Sequence, residues 1–182
     1  MPTLYLVRHG RAAANWESDL DPGLDPSGHE QARAAAATLA PLGPLRLLVS
    51  PMARTRETAA PLAEAWRIAP IIEPRVSEIP STALDLKARG RWLREIALRN
   101  WADLDPSLRT WRANVLAALN EATEDIVVVT HYIAINVAAG AATGNDRVVS
   151  FNPDYCSVTI LRTTGKGLEL VQHGAQGQTR VL

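Results

Sequence analysis

The sequence predicts an α/β fold, a three-layer α/β/α sandwich around a mostly parallel mixed sheet, and three features carry that expectation. Short apolar runs at 4–8, 45–50 and 126–130 suit strands buried on both faces of a parallel sheet. Helical patterning fills the intervals between them. Near the end, alternating segments on either side of Gly165-Lys166-Gly167 read as a hairpin that adds antiparallel strands.

Taken in order, Leu4 to Arg8 forms the first strand, bounded by Pro2 and Gly10. The Pro and Gly residues between Asp19 and Gly28 mark a long loop. Ser27-Gly28-His29-Glu30 matches a capping box, followed by Ala32, Ala35, Ala36 and Leu39 at helical spacing and a stop at Gly43. Leu45 to Ser50 is the second strand. Pro51 suits the first turn of a helix running to Trp66, in which Pro61 should force a kink or restart. Between Leu84 and Ala122 two apolar stripes follow, Trp92, Ile96 and Ala97 and then Leu108, Trp111, Val115 and Leu119, divided near Asp105-Pro106. This segment, about 84–122, is read as a helical insertion. Ile126 to Thr130 is the third strand, and Cys156 to Arg162 with Leu168 to His173 form the hairpin.

At 182 residues the chain is expected to form one domain, 1–182, large enough to bury a core without disulfides. Nineteen basic residues balance nineteen acidic ones, so no overall field favours nucleic acid or an anionic membrane, and anion recognition must be local. No apolar run approaches the roughly 20 residues of a membrane span, and Met1-Pro2-Thr3 opens without a secretory pattern, so a cytoplasmic location is expected. The single cysteine, Cys156, fits a reducing compartment and reads as a small buried residue.

Ligands of open α/β sheets gather beyond the carboxyl ends of the strands. Here the three strands end in Arg8-His9-Gly10-Arg11, in Ser50-Pro51 with Arg54 one helical turn on, and in Thr130-His131. If those strands are neighbours, two imidazoles and two or three guanidiniums converge on one edge. Such a set suits a phosphoryl group. Guanidinium forks match its oxygens, and each charge near 4 Å is worth roughly 4 kcal/mol at an effective dielectric near 20, before desolvation. An imidazole supplies an in-line nucleophile, which neighbouring arginines keep unprotonated. Gly10 is expected to let a ligand approach the backbone.

Other features take plainer readings. His29, in the first turn of an exposed helix, and His173, in the hairpin, are read as structural, and four scattered histidines without ligand spacing give little support for a metal site. The basic run from Lys87 to Arg94 reads as a solvated helix face rather than a guide for anionic substrates. Trp92, Trp101 and Trp111 read as packing residues.

Leu4-Tyr5-Leu6-Val7-Arg8-His9-Gly10 resembles the Arg-His-Gly signature that closes the first strand in the histidine phosphatase superfamily, the phosphoglycerate-mutase-like proteins. Asn15 falls where that family often has Asn, and Asp21, Leu24, Gly28, Gln31 and Ala32 follow its helix-entry pattern. Ser50-Pro51-Met52-Ala53-Arg54 with Thr58-Ala59, Pro74-Arg75-Val76-Ser77-Glu78, and Val127-Val128-Val129-Thr130-His131 resemble its second-strand, acid and second-histidine segments. The resemblance implies that His9 is transiently phosphorylated and that Arg8, Arg54 and His131 bind the transferring group, with Asn15 beside them. It implies too that Glu78 protonates the leaving oxygen and that no cofactor or metal is needed. The expected activity is hydrolysis of phosphomonoesters, with a phosphorylated small molecule or a phosphoprotein as partner and neither nucleic acid nor membrane involved.

Four departures bear on this. Arg11 and Ala12 replace an acidic or polar residue and a Thr or Ser, which makes Arg11 a candidate contact on a more basic rim. Tyr132 stands where Gly is common and is a candidate platform lining the pocket. After Glu78 the usual Gly-rich continuation is replaced by Ile79-Pro80-Ser81-Thr82, and Glu73 competes for the acid role. The alternatives are a non-catalytic phospho-ligand-binding or regulatory protein on the same scaffold and a phosphoglycerate mutase, for which the chain offers little donor-retaining sequence. A Rossmann-type nucleotide binder lacks its Gly-x-Gly-x-x-Gly. Natural substrate and oligomeric state are left open.

Overall fold

The computed structural model describes residues 1–14, 19–81 and 85–177. Its strands are β1 (Thr3–Arg8), β2 (Arg46–Val49), β3 (Ile71–Ile72), β4 (Ile126–Thr130), β5 (Val158–Thr164) and β6 (Gly167–Gln172). Its α-helices are α1 (Pro26–Leu39), α2 (Ala53–Trp66), α3 (Leu86–Ile96), α4 (Pro106–Asn120) and α5 (Tyr132–Thr143). The strands form one sheet in the order β3-β2-β4-β1-β5-β6. β3, β2, β4 and β1 run parallel, while β5 and β6 are antiparallel to their neighbours.

Alternation along the central strands sends side chains to two cores, as a pleat of period two requires. Val7, Leu47, Val49, Val127 and Val129 pack on one face against Ala36 and Leu39 of α1 and Ala59, Leu62 and Trp66 of α2. Leu4, Leu6, Leu48, Ile126 and Val128 pack on the other against Leu93 and Ile96 of α3, Val115 and Leu119 of α4, and Ile133 and Val137 of α5. Three layers result. Trp101 and Trp111 stack within the second core at 5.9 Å, a packing role. Among the described residues, no helix is long and apolar enough to cross a membrane.

Several boundaries differ from the sequence expectation for identifiable reasons. Helix α1 starts at Pro26, and its cap is Asp25, which accepts from the Gly28 amide at 2.7 Å; Pro26 in the first turn has no amide to satisfy, so the Ser27 box is superseded. Helix α2 starts at Ala53 rather than Pro51, because Asp21 in the preceding long loop accepts from the Ala53 amide at 2.8 Å and caps the helix from a distance. It runs unbroken through Pro61. Burial of Ala59, Leu62, Ala63 and Trp66 on the sheet offsets the lost hydrogen bond, a cost of about 3 kcal/mol.

The hairpin strand β5 begins two residues later than expected, since Cys156 takes φ +55° and cannot extend it. Helix α5 escaped the periodicity reading. It is apolar almost throughout and buried from Tyr132 to Gly140, so no polar face marks a 3.6-residue period.

Candidate active site

Registers of the parallel strands bring the three polar ends level: Arg8 pairs with Thr130 across β1 and β4, and Val49 with Val129 across β2 and β4. The next residues, His9, His131 and Ser50, therefore leave the sheet side by side. The His9 amide donates to Thr130 O at 3.0 Å and the Ser50 amide to Val129 O at 3.1 Å, which carries the alignment one residue past the strands. Arg54 arrives from the first turn of α2, and His131 itself caps α5. The N-termini of both helices face this edge and add positive potential.

His9 is 6% exposed and its ring centroid lies 5.3 Å from that of His131. Its Nδ1 lies 2.8 Å from the Gly10 carbonyl, which only accepts, so Nδ1 carries the proton and Nε2 keeps a lone pair. Burial, and then the charges of Arg54 and Arg8, hold this imidazole well below its ordinary pKa, so it is neutral.

His131 is fully buried and has the opposite tautomer. Arg54 Nη2 lies 3.2 Å from Nδ1 and can only donate, so Nε2 carries the hydrogen and donates to Ser50 Oγ at 2.7 Å. Burial and Arg54 depress this ring as well. His131 thus steadies Arg54, and Ser50 steadies His131.

Arg8 and Arg54 are each 5% exposed, and burial lowers both from the ordinary arginine value. Each retains its charge. Glu78, reached from the 3-10 turn Pro74–Val76, is buried with them; Oε1 accepts from the Ile79 amide at 3.0 Å and Oε2 from the Ile133 amide in the first turn of α5 at 3.3 Å. Desolvation pushes its carboxyl up, against the pull of those amides and of Arg54 and Arg8. The site therefore pairs an imidazole kept neutral with a carboxyl that retains its proton above the usual range. An unprotonated Nε2 can act as a nucleophile and such a carboxyl can give up a proton, with the charges of Arg54 and Arg8 acting on both.

Glu73 is placed for a different task. It receives Arg75 Nε at 3.0 Å and Nη2 at 2.8 Å, while Arg75 Nη1 reaches Glu121 at 2.8 Å, and the pairing pushes the Glu73 carboxyl down. Held ionised, it is a poor proton donor.

Arg11 turns away from the cluster: Nε pairs with Asp25 and Nη2 donates to Ser27 Oγ at 3.3 Å, both at the start of α1. Asn15 lies outside the described residues. Tyr132 is buried beneath Arg8, ring centroid 5.0 Å from the guanidinium carbon, and its hydroxyl donates to Asn152 Oδ1.

Gly10 has a role other than ligand approach. A Cβ there would sit 2.7 Å from Gly28 O, and one on Gly28 would sit 2.1 Å from Arg11 O, so the two glycines let the loop after β1 lie against α1. The Gly10 amide is bound to Thr58 Oγ1 at 2.9 Å.

Two site residues escaped the sequence reading. Tyr155, in the turn before β5, covers Arg8 at 4.1 Å and flanks His9 at 6.1 Å. Nothing local distinguishes it from a loop tyrosine. Arg89 is buried on α3, where its charge acts on Glu78, Arg54 and His131, rather than solvated with the rest of its basic run. A signal existed, since Arg89, Leu93 and Ile96 share the spacing of one buried helical stripe.

Residues 4–176 match the family model described as "Histidine phosphatase superfamily (branch 1)". Among curated relatives, the probable phosphoglycerate mutase GpmB of Enterobacter sp. (strain 638) is 34% identical over 89 residues, 47% of this chain and 41% of that protein. A PE-PGRS family protein of Mycobacterium tuberculosis, PE_PGRS11, is 40% identical over 79 residues, 40% of this chain and 14% of that protein. The matches thus span less than half of either relative. Among solved structures, a mycobacterial glucosyl-3-phosphoglycerate phosphatase complexed with VO3 superposes with a TM-score of 0.75 at 22% identity, covering 97% of this chain and 100% of that one. A phosphoserine phosphatase from Entamoeba histolytica, in complex with 3-phosphoglyceric acid, gives 0.76 at 17% identity, covering 97% and 98%. These two likenesses are of fold.

Proposed function

Since the chain belongs to the histidine phosphatase superfamily (branch 1), we propose that it hydrolyses phosphomonoesters of small molecules through a phosphohistidine on His9. The observation that carries this reading is the opposed protonation of two buried groups that share the charges of Arg54 and Arg8: neutral His9 with Nε2 unprotonated, and Glu78 with its carboxyl pushed up.

In the first step His9 Nε2 attacks phosphorus, the bond to the leaving oxygen breaks, and Glu78 gives that oxygen its proton. Arg8 and Arg54 neutralise the equatorial oxygens, so the positive charge comes from guanidiniums and no metal is required. His131 supports this by holding Arg54 through Nδ1. Glu78, now a carboxylate, takes a proton from the water that attacks the phosphohistidine. Phosphate leaves, and His9 and Glu78 return to their starting states. Asn15 is assigned to the substrate side of the site on its place in the sequence.

The test is phosphate release from a generic aryl phosphate in the presence of a chelator, by the wild type and by His9→Ala. Release that survives chelation and disappears in the variant is expected. Unchanged turnover in His9→Ala rejects the nucleophile. Turnover lost to chelation rejects the metal-free mechanism, and absence of hydrolysis across a panel of esters leaves a phospho-ligand-binding protein.

A further inference from the structure

Arg8 is held by more than hydrogen bonds. Its Nη1 donates to the Pro153 carbonyl at 2.8 Å, and its buried Nε–H finds no partner among the described residues. A planar cation anchored at one nitrogen still swings about that anchor. Two rings lie against it, Tyr155 with its centroid 4.1 Å from the guanidinium carbon and Tyr132 with its centroid 5.0 Å away.

The Tyr132 ring and the backbone that carries Tyr155 are themselves tethered. The Tyr132 hydroxyl is bound to Asn152, the residue before the Pro153 that receives Arg8. The Tyr155 amide donates to Asp154 Oδ1 at 2.8 Å, and the next amide, that of Cys156, donates to the carbonyl of Arg8 at 3.0 Å. The turn from Asn152 to Cys156 is therefore bound to the strand end whose side chain it covers.

Building on the phosphoryl-transfer reading, we propose that Tyr132 and Tyr155 are positioning residues, whose rings clamp the Arg8 guanidinium in the plane from which it meets the phosphoryl oxygens. Aromatic faces attract a guanidinium through the ring quadrupole, most strongly where water is excluded, and they leave its N–H edges open to the anion. The clamp orients a buried cation without consuming the donors that the substrate needs. It acts through Arg8, and the Tyr155 ring also flanks that of His9.

The experiment measures binding of inorganic phosphate by calorimetry, with no turnover involved. Tyr155→Leu is expected to weaken it about tenfold, and Tyr155→Phe, which keeps the ring, to restore it to within about threefold of wild type. In an Arg8→Lys background Tyr155→Leu should add almost nothing, because the two changes disable one device. A second readout needs no ligand: the Arg8 Hε resonance, assigned by its loss in Arg8→Lys, should be displaced by ring currents and move in Tyr155→Leu. Should Tyr132→Leu fail to fold, the Tyr155 variants still decide, their ring being only half-buried.

Wild-type phosphate affinity in Tyr155→Leu, additive losses in the double variant, or an unmoved Hε resonance overturns the clamp. If the coupling pattern is found in a protein that hydrolyses no ester, the clamp stands and the hydrolytic reading falls. If the wild type hydrolyses esters and Tyr155→Leu is unaffected, only the clamp falls. A wild type that binds no phosphate overturns the clamp, and the hydrolytic reading falls with it only when no ester is hydrolysed.

Discussion

Replacing Glu78 by Gln separates acid catalysis from charge and shape. The carboxyl is buried with both oxygens engaged, Oε1 by the Ile79 amide at 3.0 Å and Oε2 by the Ile133 amide at 3.3 Å. An amide of the same size keeps one of these acceptors and loses the other, so one buried N–H goes unpaired at a cost of about 1–3 kcal/mol in stability. The chemical loss depends on the leaving group. A general acid contributes roughly 10²–10⁴ in rate, about 3–5 kcal/mol, where the departing oxygen needs the proton.

An alkoxide is nearly as basic as hydroxide, the conjugate base of water at pKa about 15.7, and cannot leave without help. A phenol near pKa 10 needs much less. In Glu78→Gln, kcat/KM, which reports the steps up to departure of the leaving group, should therefore fall at least about a hundredfold for an alkyl phosphate and less than about tenfold for a nitrophenyl phosphate. Its alkaline limb, which in the wild type lies above the usual carboxyl range because burial pushes Glu78 up, should vanish. Urea unfolding under assay conditions establishes that the variant is folded. Equal losses of kcat/KM for both ester types, or an unchanged alkaline limb in its pH profile, would refute the assignment of Glu78 as proton donor.

Three further outcomes are expected. Ser50→Ala removes the acceptor of His131 Nε2–H at 2.7 Å between two wholly buried groups, and should cost about 1–3 kcal/mol by urea unfolding, while the ¹⁵N signals of His131 keep the Nε2–H tautomer because Arg54 still donates to Nδ1. Gly28→Ala raises intrinsic helix propensity by about 1 kcal/mol, yet its Cβ would lie 2.1 Å from Arg11 O, so a net loss exceeding about 2 kcal/mol is expected by the same assay. Acidification should destabilise the fold. Below the ordinary imidazole value the unfolded chain takes up protons at positions 9 and 131 that the folded chain refuses, a loss of about 1.4 kcal/mol per pH unit for each ring. Glu78 acts in the opposite sense, retaining a proton in the folded state that the unfolded chain releases above the usual carboxyl range, so its contribution fades as pH rises. His9→Gln should flatten the fall in unfolding free energy between pH 6.5 and 5 by roughly 2 kcal/mol.

What the amino-acid order determined by itself was whatever depends on neighbours in the chain. Strand β4 is a run of apolar residues and is found at Ile126–Thr130 as read. Arg8, His9, Arg54 and His131 were legible because each lies at a strand end or one helical turn beyond it, and a parallel sheet brings such ends to one edge. Tertiary structure decided the rest. Which nitrogen of each imidazole holds the proton depends on Gly10 O and on Arg54 Nη2, partners set by the folded chain.

Glu73 and Glu78 are chemically alike five positions apart, and became an ion-paired carboxylate and a desolvated acid only when Arg75 met one and burial took the water from the other. Arg11 follows the Arg-His-Gly motif directly yet is bound to Asp25, whereas Tyr155, far along the chain, covers Arg8. The physical reason is common to all of these. Strand and helix periods follow from local backbone geometry, but desolvation, tautomer and charge pairing depend on which distant groups exclude the water, and no local pattern encodes that.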